Sequence, residues 1–128
     1  MNGRDAFDKA VKMLGYNDDF GIMNEAEINR RMGVVINAVY ADLYFNLFNV
    51  DAKKSDFCEM NDMLEDIPLP SNVLNDCFVY GVCMWLAQSM GDSENQRFFT
   101  NLYEYKRLDY LKKANESFDR LLINDVMP

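Results

Sequence analysis

Few residues of this chain have types and spacings that could carry chemistry. Tyr103, Tyr105, Lys106, Arg107, Tyr110, Lys112 and Lys113 interleave aromatics with bases, a pattern that grips nucleic acid by charge and stacking. The same residues also read as tyrosines packed on a helical core, with cations complementing the negative end of the helix dipole. Glu104 and Asp109 dilute the patch, which favours the second reading. Asp56, Glu59, Asp62, Glu65 and Asp66 crowd a short stretch that contains no base. A calcium loop would need alternating acids, a central glycine and a closing glutamate, and that order is missing, so an acidic surface loop is expected and no metal site.

Other chemistry has no footing. The chain has no histidine, so neither an imidazole-based triad nor a histidine–metal site can form. Ser55, Ser71, Ser89, Ser93 and Ser117 lack a nucleophile-elbow context, and no glycine-rich phosphate cradle occurs. Cys58, Cys77 and Cys83 contain no C-x-x-C pair and are expected to be reduced. No catalytic residue, metal or cofactor is therefore expected, and the chain is not read as an enzyme.

These residues sit in 128 positions with 13 bases, 21 acids and a formal charge of −8. The hydrophobic fraction of 49% is that of a folded domain rather than a disordered chain. The acidity argues against specific nucleic-acid binding, because phosphate contacts require a basic surface. The uncharged stretch from Cys77 to Met90 is too short to cross a bilayer, and the first ten residues do not resemble a secretory signal. A cytoplasmic protein without a membrane partner is expected.

Helical spacing runs through most of the chain, and an all-α bundle of about four main helices is expected. The first helix covers about Arg4 to Leu14, with Gly15 as its C-terminal cap, and Tyr16 to Met23 reads as loop. The second covers about Glu25 to Phe48 and opens on Asn24 as N-cap. It has two apolar stripes. One is Ile28, Met32, Val35, Ile36, Val39, Leu43 and Leu47; the other is Val34, Ala38, Ala41, Phe45 and Phe48. Such a helix is either sandwiched within its own domain or shared with a neighbouring subunit. A long irregular connection, 49–70, follows. The third helix, Ser71 to Met90, is apolar on all sides and should be central, with Gly81 admitting a close neighbour. The fourth, capped by Asp92 or Ser93, is expected to reach about Ala114. Residues 1–114 then form the bundle domain, and 115–128 an extended or short-helical docking tail. Phe118, Leu121, Leu122, Ile123 and Val126 are that tail's contact residues, onto the chain's own bundle or onto a partner.

The stretch LPSNVLNDCFVYGVCMWLAQSMGDSENQ, from Leu69 to Gln96, resembles a segment of the small head–tail connector (adaptor, head-completion) proteins of tailed phages and prophages. The likeness extends to FFTNLYEYKR in the fourth helix, INAVYADL from Ile36 to Leu43, and INDVMP from Ile123 to Pro128. It implies a helical subunit that joins a homo-oligomeric ring below the portal protein, prolongs the DNA channel and receives a neck or tail completion protein. It also implies residence in the host bacterial cytoplasm during assembly and in the virion neck afterwards. Two other readings are a small acidic DNA mimic and a helical regulator that binds nucleic acid or another protein.

Overall fold

A computed structural model describes residues 1–48 and 57–126, with side chains placed at 1–47 and 57–113. Helix accounts for 77% of the chain and no strand forms among the described residues, so the fold is all-α. Helix α1 spans Gly3–Leu14. The Asn2 side chain accepts from the Asp5 N–H at 2.7 Å to start it, and Gly15 at φ 75° ends it. One side of α1 (Ala6, Phe7, Ala10, Val11 and Leu14) is buried.

Helix α2, Asn17–Gly21, lies where loop was expected. No side chain caps this turn; burial of Phe20, whose ring meets Phe7 edge-on at 5.5 Å, holds it. Tertiary packing here overrides a run of loop-forming residues.

Helix α3, Glu25–Leu43, continues through a π turn at Tyr44–Phe48. Asn24 caps it by accepting from the Glu27 N–H at 2.8 Å. The first apolar stripe turns inward as expected, with Met32, Val35, Ile36, Val39, Leu43 and Leu47 buried.

Helix α4 runs over 71–89. It starts after Pro70 with Ser71–Val73, passes through a π turn at Leu74–Phe78 and finishes as Val79–Ser89. It packs against α1, α3 and the last helix, α5 (Ser93–Val126). A Cβ at Gly81 would lie 2.8 Å from both the Tyr103 ring and Val39 Cγ1, so only glycine lets α3 and α5 approach α4 this closely. Gly91 turns the chain at φ 69°, and Asp92, rather than Ser93, caps α5 by accepting from the Asn95 N–H.

Helix α5 has 34 residues and continues through Ala114 to Val126, so 115–126 extends this helix instead of forming an extended or short-helical tail. At about 1.5 Å per residue it is about 51 Å long. The pairs Tyr80–Phe99, Asp76–Lys106 and Asn72–Tyr110 set α4 and α5 antiparallel, with Ser71 level with the turn after Tyr110. Arg31 beside Met90 and Val39 beside Gly81 set α3 antiparallel to α4 and so parallel to α5; Asp42 meets Tyr103 and Arg107, and α3 with its π turn finishes near the same level. The final turns of α5, about 20 Å, pass beyond the ends of both neighbouring helices.

The connection at 57–70 is tied down at several points. Asn37 Nδ2 donates to the Met60 carbonyl at 2.9 Å, and the Met60 N–H donates to Asn37 Oδ1 at 2.8 Å. The Arg4 N–H donates to the Met63 carbonyl, and the Ile67 N–H to the Met1 carbonyl, each at 3.0 Å. Met60 and Ile67 are buried.

Gly81→Ala is expected to lower unfolding stability by about 1–3 kcal/mol, because the methyl group meets a buried ring and Val39. Gly33→Ala, where a Cβ meets nothing within 4 Å, should instead raise stability by about 0.5–1 kcal/mol. Urea denaturation of the two variants checks both signs.

Candidate functional site

The outer face of α3 is the most unusual surface among the described residues. The second apolar stripe points away from the core: Val34 is 60% exposed, and Ala38, Ala41 and Phe45 are half-buried. Among the described residues no element covers this side of α3. A shallow groove of about 550 Å³ follows the stripe, lined by Arg30, Gly33, Val34, Ala38, Ala41 and Glu59 among others. A neighbouring depression of about 510 Å³ shares Gly33, Asn37 and Glu59 and reaches Arg4 and Asp62. At its far end the stripe meets a ring cluster. Phe57 stands 5.1 Å from Phe45, 5.3 Å from Tyr44 and 5.1 Å from Tyr40.

Near the first turn of α3, Glu27 accepts from Arg30 Nη2 at 2.6 Å and from Arg31 Nε at 3.0 Å. These two bonds hold the Glu27 carboxyl down at about 2.

The acidic residues of the connection lie on its outside. Glu59, Asp62, Glu65 and Asp66 are exposed, while Met60 and Ile67 face inward as anchors. Asp62 also stiffens the turn, its Oδ1 accepting from the Leu64 N–H at 2.9 Å. Asp56 lies outside the described residues, as do the side chains of Phe48, Phe118, Leu121, Leu122, Ile123 and Val126. No group of three or more metal-ligating side chains gathers among the described residues.

The Tyr103–Lys113 stretch meets the chain's own acids. The buried Tyr103 hydroxyl donates to Asp42 Oδ2, and Arg107 Nη1 donates to the same carboxylate at 2.9 and 3.2 Å. Tyr110 donates to Asp76 Oδ1 at 3.0 Å, Lys106 lies 3.4 Å from Asp76 Oδ2, and Lys113 pairs with Asp109 at 3.1 Å. Burial, and then the Asp42 bond, drives the Tyr103 hydroxyl far above the tyrosine range. Burial and then Asp76 push Tyr110 up to about 12. Asp76 also raises the Lys106 ammonium, by its charge first and its hydrogen bond second. The pattern therefore clamps α5 to α3 and α4, and Arg107, Lys106 and Lys113 are already ion-paired.

Asp42 and Asp76 belong to this network and were not singled out from the sequence, although a signal was present. Asp42 is the one charge from Met32 to Phe48, and Asp76 the one charge from Ile67 to Gly91. A solitary acid on an otherwise uncharged helix must find a partner when its face is covered.

The thiols of Cys77 and Cys83 are buried, and burial pushes both up to about 12. They behave as small core hydrophobes, while Cys58 is exposed. No helix among the described residues is long and apolar enough to cross a membrane.

Comparison with protein families, with curated proteins and with solved structures finds no match to this chain.

Because the Tyr110 proton is held more tightly in the folded state, its contribution to stability is complete below the ordinary tyrosine value near 10. It is lost as pH rises through about 12. Asp76→Asn should bring one tyrosinate step in an ultraviolet titration down toward 10 and flatten the alkaline fall in stability. An unchanged titration would separate Tyr110 from Asp76.

Proposed function

We propose that the chain is a structural virion assembly protein, a head–tail connector subunit. In this reading it packs with other copies as a bundle-shaped wedge in a ring on the portal, extends the DNA channel and receives a neck or tail completion protein. The observation that carries the reading is the outward stripe Val34, Ala38, Ala41 and Phe45. An apolar face on a helix whose opposite face already fills the core has little use in a monomer and is what a subunit with neighbours needs. Helix α5 supports it, since its last turns outrun both neighbouring helices and would reach a second component.

The acidic connection fits the same role. Glu59, Asp62, Glu65 and Asp66 stand on the outside of a segment anchored by Asn37 and by the backbone of α1. Carboxylates facing a channel would repel phosphates and let DNA slide without being gripped. The ion-paired bases of α5 agree with a protein that does not bind nucleic acid specifically. The protein then assembles in the host bacterial cytoplasm and resides in the virion neck, without a cofactor or a catalytic site.

Co-sedimentation with portal rings tests the reading. The wild-type chain is expected to pellet with the rings at a fixed ratio, and Ala38→Arg to weaken the assembly while keeping its helical circular dichroism. If no binding occurs across a range of salt, the connector reading is wrong.

A further inference from the structure

We propose that the groove on α3 receives the outward face of α5 from a second copy of this chain, a head-to-tail contact; this rests on the reading of the chain as an assembly subunit. The two surfaces match in shape. The floor of the groove is low, made by Gly33, Ala38 and Ala41, and a Cβ at Gly33 would meet nothing within 4 Å. Helix α5 carries large apolar side chains on the face turned away from α4. Phe98 is 57% exposed, Tyr105 68% and Leu108 61%, whereas Phe99 and Tyr103 are buried against the core. A ridge of large side chains opposite a groove of small ones is how helices pack closely.

Charge sets the direction. Arg30, paired with Glu27 of its own chain, stands toward the start of the groove, and Glu59 lines it beside the later turns of α3. The α5 face has Glu104 and Lys112, about 12 Å apart along the helix, with Leu108 between them. Laid parallel to α3, the partner α5 sets Glu104 against Arg30, Leu108 over Gly33 and Ala38, and Lys112 against Glu59. Neither Glu59 nor Lys112 has an ion-pair partner among the described residues. Asp42 and Arg107 join α3 and α5 within one copy, so both outward faces remain available at once on different sides of the chain. Because the two faces differ, each copy binds one neighbour through each, and the contact repeats around a closed ring or along a filament.

Thiol cross-linking tests this in the full chain carrying Cys58→Ser, with Cys77 and Cys83 shielded by burial. With Ala38→Cys and Leu108→Cys together, a short bismaleimide at high protein concentration should give a ladder of dimers, trimers and larger species. Mixing the two single variants should give dimers only, and each single variant alone should remain monomeric. Dimers from Leu108→Cys alone would mean that α5 pairs with itself about a two-fold axis, which overturns the proposal, as does the absence of any cross-linked species. Lys112→Glu should cut the ladder about tenfold, equivalent to about 1.4 kcal/mol, and adding Glu59→Lys should restore it. Restoration also shows that the single variant folds. Portal binding without a ladder would overturn this pairing of faces and leave the connector reading intact. A ladder without portal binding would support the pairing and count against the connector.

Discussion

The close approach of α3 and α5 to α4 at Gly81 is the constraint on which the rest of the structure depends. With only a hydrogen there, the Tyr103 ring and Val39 both settle against the α4 backbone. Tyr103 is then deep enough that its hydroxyl needs a partner within the protein, and the half-buried Asp42 supplies it. Asp42 in turn draws in Arg107, so a single carboxylate ties α3 to α5 through two side chains. The Asp76 cluster repeats the arrangement one turn further along α5, joining Lys106 and Tyr110 to α4. Removing Asp42 leaves the Tyr103 hydroxyl and Arg107 without that partner, which costs more than the loss of an exposed ion pair, whereas Tyr110 keeps the Asn72 carbonyl if Asp76 is removed.

This arrangement decides which surfaces the chain has left. Helix α4 consumes the inward stripe of α3 and the inward face of α5, and α1 covers a further side. The outer stripe of α3 and the outer side of α5 remain, both carrying apolar side chains in the open. The connection at 57–70 borders the first of these surfaces. It is pinned there by Asn37 and by the backbone of α1, so its acids are held in place.

Much of this was readable from residue order, and the failures have physical reasons. The starts of α3 and α4 follow from Asn24 and Pro70, whose local chemistry requires little beyond a few neighbours, whereas the Asn2 cap of α1 is not singled out by the sequence. The central place of α4 follows from its single charge, Asp76, although the helix is not buried on every side as its apolar run suggests: Trp85 is exposed and Tyr80 and Met84 are half-buried. Helix α2 was not readable, because Phe20 is ordered by Phe7 across the fold and not by its own polar neighbours. Polar residues after Ala114 break the apolar rhythm and suggest an end to α5 there, yet none of Asn115, Glu116 or Ser117 is a helix stopper such as proline or glycine. The π turns at Tyr44–Phe48 and Leu74–Phe78 had no local signature. Of the surface, the stripe on α3 was visible as periodicity. Its orientation was not, since periodicity alone cannot distinguish a second core face from an outward one.

The central claim is that the outward stripe of α3 is covered by another subunit. Electron cryomicroscopy of the chain bound to portal rings measures this most directly. The account predicts a ring in which Val34, Ala38, Ala41 and Phe45 of each copy are buried against the next. A portal-bound assembly with that stripe facing solvent in every copy would contradict it.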